Sequence, residues 1–133
     1  MPVFDTEPLL IFYLDEEGAD VVEKELKKVK AGKNRGLLNV VNMTEFYYVI
    51  YRRDPSAAER EVKDLKSWGV ETVPIGDDEI WREAGRIKGE HAVPLGDAFS
   101  SATANVKGEK LLVGEDEDFK GIDVKLIRCA TSE

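Results

Sequence analysis

Pro2-Val3-Phe4-Asp5-Thr6-Glu7-Pro8-Leu9-Leu10 passes from one kind of backbone to another within a few residues. Pro2–Asp5 is short and apolar and reads as a strand. Asp5-Thr6 offers side-chain oxygens to a helix N-terminus, and Pro8 suits a first helical turn. Leu9, Leu10, Phe12 and Tyr13 supply the apolar side of that helix, and Gly18 breaks it. A strand that hands over directly to a helix is the first half of a βαβ unit, so the alternation is expected to recur along the chain.

It does recur. Ala19–Lys30 has Val22, Leu26 and Val29 at helical spacing, with Lys27, Lys28 and Lys30 near its C-terminal end. Lys33-Asn34-Arg35-Gly36 reads as a turn and Leu37–Val41 as a second strand. Asn42 is expected to cap a long helix through Arg53, which Asp54-Pro55 ends. Ser56–Trp68 reads as an amphipathic helix and Val70–Ile75 as a strand-like stretch. Asp77–Lys88 reads as a helix with Ile80, Trp81, Ala84 and Ile87 inward. Gly89–Leu95 is a loop, then Asp97–Val106 a helix rich in small residues. Lys110–Val113 and Val124–Cys129 are further strands, joined by the acidic loop Gly114–Asp123. Strands that are apolar without strict alternation belong in a sheet covered on both faces. The expectation is one α/β domain over residues 1–133, with a central, mainly parallel sheet flanked by helices in three layers.

Composition narrows the function classes. At 133 residues the chain suffices for one hydrophobic core. No apolar run is long enough to span a bilayer, and Met1–Asp5 lacks the pattern of an export signal. Cys129 is the one cysteine, which excludes an internal disulfide and suits a reducing cytoplasm. It reads as a buried small apolar residue. The net charge of −8 argues against gripping nucleic acid by bulk charge, unless bound divalent ions invert the local field. Dense Glu and Lys with no glutamine resembles the bias of proteins from hot-living organisms.

The acids fall in a pattern. Asp5 ends the first strand, Glu45 lies in the first turn of the helix after the second, and Asp97 opens the small-residue helix. Asp116 follows the strand Lys110–Val113. In open α/β sheets, functional groups gather beyond the C-terminal ends of the strands. Each acid also has a plainer explanation. Asp5 and Asp97 could cap helices, Asn42-Met43-Thr44-Glu45 matches a capping box, and Asp116-Glu117-Asp118 could be a solvated loop. Clustered carboxylates repel one another, and a cation relieves the repulsion. Carboxylate and water oxygens suit Mg²⁺ or Mn²⁺; zinc would want Cys and His, and Cys129 and His91 lie far apart in sequence.

Four motifs in order resemble those of PIN-domain nucleases, and the length and layout are similar to the VapC-type toxins of toxin–antitoxin pairs. The motifs are Phe4-Asp5-Thr6, then Asn42-Met43-Thr44-Glu45-Phe46, then Leu95-Gly96-Asp97-Ala98 followed by small residues, then Leu111–Phe119. The fourth departs from the family pattern, because Gly114-Glu115 stands where a Thr or Ser is usual. That leaves Asp116, Asp118 and Glu115, in that order, as alternatives for the fourth acid.

The resemblance implies a metal-dependent endoribonuclease. Asp5, Glu45, Asp97 and Asp116 would be the catalytic acids, and these four with Asp118 would hold Mg²⁺ or Mn²⁺. The ion would activate a water and offset charge on the scissile phosphate. It also implies an RNA substrate, a cognate antitoxin and a homodimer, with no membrane. The residues that contact substrate stay unassigned; Lys33, Arg35, Arg52, Arg53, Arg82, Arg86 and Lys88 are ordinary surface charges that could flank a groove. Phe46-Tyr47-Tyr48 with Tyr51 reads as core or a dimer face rather than a base-stacking platform. Two other readings stand beside this one. A protein-binding module that has lost catalysis is favoured by Gly114. An aspartyl phosphotransfer domain would also place an Asp after the first strand, but Glu7 stands where such phosphatases carry a second Asp, Lys125 lies within an expected strand, and Asp5 has no adjacent acid.

Overall fold

The computed structural model describes residues 2–76, 78–114 and 117–129. The strands are β1 (Val3–Phe4), β2 (Gly36–Asn39), β3 (Val70–Val73), β4 (Leu111–Val113) and β5 (Leu126–Arg128). The helices are α1 (Thr6–Leu14), α2 (Ala19–Lys30), α3 (Val40–Tyr51), α4 (Pro55–Ser67), α5 (Asp78–Glu90) and α6 (Leu95–Lys107). The five strands form one sheet in the order β3-β2-β1-β4-β5, and every pairing is parallel.

Side chains alternate across this sheet, and both faces are covered. Phe4, Leu38 and Leu112 enter one core with Leu9, Val22, Leu26, Phe46, Ile50 and Leu65 from α1 to α4. Val3, Leu37, Leu111 and Val113 enter the other with Ile80, Ala84 and Ile87 of α5 and Ala98 and Ala102 of α6. This is the three-layer arrangement expected from the alternation of strands and helices. The small residues of α6 have a structural use. Ser100, Ser101, Ala102, Thr103 and Ala104 are all buried, so the helix lies close against the sheet.

β1 is only two residues long, yet it is central. Its neighbours extend the ladder beyond it. The amide of Val3 donates to Lys110 O at 2.8 Å, that of Asp5 to Leu112 O at 2.9 Å, and that of Leu37 to Pro2 O at 3.0 Å. The strand order reverses at β1, since β2 and β3 build to one side of it and β4 and β5 to the other. The crevice at the C-terminal ends of β1 and β4 is therefore the switch point of the sheet.

Several boundaries differ from the sequence reading. The second strand ends at Asn39, and Asn39 rather than Asn42 caps the following helix; its side-chain oxygen accepts from the amide of Val41 at 2.8 Å. Its Nδ2 donates to Thr103 Oγ1 at 2.9 Å, tying β2 to α6. Asp54-Pro55 does more than end α3. Asp54 caps α4 by accepting from the amide of Ser56 at 3.0 Å, with Pro55 in the first turn. The last long helix starts at Leu95 after Pro94, so Asp97 lies inside its first turn and does not open it. α5 runs on to Glu90, shortening the loop that follows it. Asp77 lies outside the described residues. Within the acidic loop, Glu117–Phe119 forms one short 3₁₀ turn.

Asn39→Ala removes a cap and leaves the Thr103 hydroxyl without its donor. It should lower stability by about 1–3 kcal/mol in urea denaturation. A midpoint equal to that of the unaltered chain would show that the cap contributes nothing.

Candidate functional site

The N-termini of α1, α3 and α6 meet beyond the C-terminal ends of β1 and β2, and each brings an acid. Asp5 precedes α1 directly and occupies its N-cap position, but its side chain makes no capping bond. The carboxylate turns inward and accepts from Ser100 Oγ of α6 at 2.9 Å. Ser100 lies one turn beyond Asp97, and its hydroxyl is also 3.2 Å from the Asp97 carbonyl. Asp97 is half-buried in the first turn of α6.

Glu45 is held by three residues. Thr6 Oγ1 donates to Glu45 Oε1 at 2.6 Å. Asn42 Nδ2 lies 3.1 Å from Thr6 Oγ1, 3.1 Å from the Gly96 carbonyl and 3.4 Å from Glu45 Oε1. Asn42 is thus fully buried and joins α1, α3 and α6. The capping-box reading of Asn42 and Glu45 fails because Asn39 does the capping three residues earlier. That frees the Asn42 amide to orient an acid.

Gly96 is the other support. A Cβ built there would stand 2.3 Å from Glu45 Oε1 and 2.5 Å from Oε2. The Glu45 carboxylate therefore rests in space that only glycine leaves open. Thr6, Asn42 and Gly96 all lie in the quoted motifs, yet the sequence reading gave none of them a role at the site. A hydroxyl beside Asp5, an amide three residues before Glu45 and a glycine before Asp97 were the available signals.

The electrostatics follow from burial. Asp5 is 3% exposed, and loss of water pushes its carboxyl up from 3.8 to about 7. The Ser100 hydrogen bond and the Thr6 backbone oppose this rise; the nearby charges of Glu45 and Glu7 add to it. Of the four catalytic acids expected from the sequence, Asp5, Glu45 and Asp97 lie among the described residues and could hold a cation. Among the described residues, no three Asp, Glu, His or Cys side chains converge tightly enough to chelate an ion unaided. The donor set nonetheless fits a hard divalent ion. It consists of carboxylates, it includes a buried acid that is strongly proton-hungry, and no basic side chain bonds to that acid in the contacts described above.

The remaining candidates fall as follows. Asp116 and Glu115 lie outside the described residues. Asp118 is half-buried in the short turn after β4. His91 sits in the loop after α5, and Cys129 is buried in the core, as expected. Arg35 pairs with Glu71, Arg86 with Glu83 and Glu90, and Lys88 donates to the Val93 carbonyl. Arg52 and Arg82 stack over Tyr48 and Trp81. Phe46 is core, whereas Tyr48 and Tyr51 face outward. Lys125 precedes β5 and lies at the N-terminal edge of the parallel sheet, opposite Asp5. That position removes the lysine a receiver-type phosphotransfer site would need.

Comparison with known proteins agrees with this geometry. A family model described as the PIN domain matches residues 3–125. A VapC ribonuclease of Mycobacterium bovis and the ribonuclease VapC42 of Mycobacterium tuberculosis are each 28% identical over 131 residues, covering 92% of this chain and 96% of theirs. Among solved structures, a toxin–antitoxin complex from Klebsiella pneumoniae contains a chain that superposes with a TM-score of 0.77 at 18% identity, covering 98% of both chains. VapBC2 from Rickettsia felis, solved on a DNA fragment from its promoter, gives 0.75 at 13% identity, covering 95% of this chain and 96% of that one.

The raised pKa of Asp5 sets a pH dependence. Between about pH 4 and 7 the folded, metal-free chain keeps a proton that the unfolded chain releases, so this group's contribution to stability falls as pH rises. Asp5→Asn should be more stable than the unaltered chain at pH 8 in EDTA, by an amount on the order of a few kcal/mol that shrinks towards pH 4. Parallel denaturation curves for the two proteins at every pH would contradict the burial argument.

Proposed function

Since the chain belongs to the PIN-domain family, we propose that it is a metal-dependent endoribonuclease and the toxin of a VapBC-type pair. The observation that carries this reading is the meeting of the N-terminal parts of α1, α3 and α6, which bring Asp5, Glu45 from the second turn of α3, and Asp97 to one end of the sheet, with Asp5 held by Ser100 and Glu45 by Thr6, Asn42 and Gly96. A divalent ion, Mg²⁺ or Mn²⁺, would supply Lewis acidity there, activating water and offsetting phosphate charge.

The chain's own residues account for the rest. Ser100 fixes the Asp5 carboxylate, and Thr6 with Asn42 fixes that of Glu45, so the acids are oriented before any ligand arrives. Asp97 lies half-buried in the first turn of α6, with Oδ2 enclosed. The amides that open α1, α3 and α6 favour anions, which suits a phosphodiester as substrate. Asp116 or Asp118 would complete the set from the loop after β4. The whole of residues 1–133 is taken as this one nuclease domain.

The solved relatives are toxin–antitoxin complexes, which supports an antitoxin as the partner of this chain. A homodimer is supported by the outward-facing Tyr48 and Tyr51 on α3. Among the described residues no helix is long and apolar enough to cross a membrane, and we place the protein in the cytoplasm. The second reading, a binding module with weakened catalysis, keeps Gly114 as its support.

The test is incubation of the purified chain with structured and single-stranded RNA, in Mg²⁺, in Mn²⁺ and in EDTA, beside Asp97→Asn. Cleavage should require the metal and fall at least about a hundredfold in the variant. Metal binding without cleavage of any RNA would favour the binding module. Cleavage indifferent to both EDTA and Asp97→Asn would place the activity elsewhere.

A further inference from the structure

The side chain that Gly114 lacks is not replaced by empty space. A Cβ built on Gly114 would stand 2.3 Å from Glu7 Oε1, 2.5 Å from its Cδ and 2.8 Å from its Cγ. Such separations lie far inside van der Waals contact, so a side chain at 114 would evict that of Glu7. Glu7 comes from the first turn of α1 and Gly114 from the end of β4. Its carboxylate therefore spans the seam between β1 and β4, where the strand order reverses and where α/β sheets bind ligands. Glu7 also lies near enough to Asp5 to add to its negative surroundings.

An acid in a first helical turn already has a plain use, because it complements the helix dipole. That use is met equally well by a side chain pointing into water. Here the side chain is only half exposed and leans across the seam onto a buried glycine. The dipole does not account for that direction.

We propose that Glu7 is a further member of the cation-binding set, its carboxylate taking the place that a hydroxyl-bearing residue at 114 would fill. Glu7 and Gly114 are then a reciprocal pair, in which the bare backbone of one is the condition for the reach of the other. The exchange replaces a neutral donor by an anionic one with two oxygens. A site with this extra charge holds a hard divalent ion more tightly and is more strained without it. The proposal rests on the metal-dependent reading above and adds a residue to it.

The experiment is Mn²⁺ titration of the full-length chain, read by the electron paramagnetic resonance of free Mn²⁺ and by calorimetry. The proteins are the unaltered chain, Glu7→Gln, Gly114→Ser, the double variant and Asp97→Asn, each also melted in EDTA. Glu7→Gln and Gly114→Ser should each weaken Mn²⁺ binding about 10- to 100-fold. The double variant should bind no more weakly than either single one, because both changes remove the same carboxylate. Melting of Glu7→Gln in EDTA should not fall, whereas a purely structural Glu7 would lower melting and leave Mn²⁺ affinity alone. If Gly114→Ser does not fold, Glu7→Asp takes its part; it keeps the charge but withdraws it, and must also weaken binding. Unchanged affinity in the Glu7 variants, beside loss in Asp97→Asn, overturns the role of Glu7 and leaves the metal-dependent reading standing. Additive losses in the double variant overturn the reciprocal pair. Mn²⁺ binding that is absent from the unaltered chain, or indifferent to Asp97→Asn, overturns the metal-dependent reading itself.

Discussion

The carboxylate of Asp5 has lost its water and gained a serine hydroxyl and the Thr6 backbone amide in exchange. A buried anion so weakly compensated is unfavourable by itself, and more so beside Glu45 and Glu7. Much of the surrounding structure is arranged to hold acids in this condition. A two-residue strand ends exactly where the crevice begins, three helices direct their N-termini towards it, and two glycines leave room for neighbouring carboxylates. The structure concentrates negative charge where the backbone supplies only partial positive charge, which is the electrostatic description of a cation site.

The supports are neutral throughout. Thr6, Asn42 and Ser100 position acids by hydrogen bonds and do not neutralise them. A lysine or arginine in any of these places would satisfy the acids locally and lower their affinity for an ion. The basic residues of the chain are instead spent on its periphery, where Arg35 and Arg86 pair with surface glutamates. On the proposed reading, net negative charge and a phosphate-directed active site are compatible, because attraction for phosphate would be delegated to a divalent ion and the helix ends.

The alternation of strands and helices was legible from residues 2–10 onward, since apolar runs and helix-start signals are local properties. The acids Asp5, Glu45 and Asp97 were also legible, because position after a strand is local too. What hydrogen-bonds those acids was not. Asn42 looks like a helix cap in sequence, and only the true end of β2 at Asn39 shows that it cannot be one. Gly96 and Gly114 are silent in sequence, because the reason for each lies in a side chain tens of residues away. The fourth acid stays where the sequence left it, in a loop whose key residues, Glu115 and Asp116, fall outside the description.

The central place of β1 has a consequence for synthesis. Asp5 is made well before its hydrogen-bond partner Ser100, which follows 95 residues later, and β4, one of β1's two neighbours in the sheet, comes later still. A parallel sheet with its first strand in the middle cannot close by local contacts, so a chain emerging from the ribosome folds its core late. The acids of the site are therefore brought together by the closing of the sheet, and not by any one segment folding on its own.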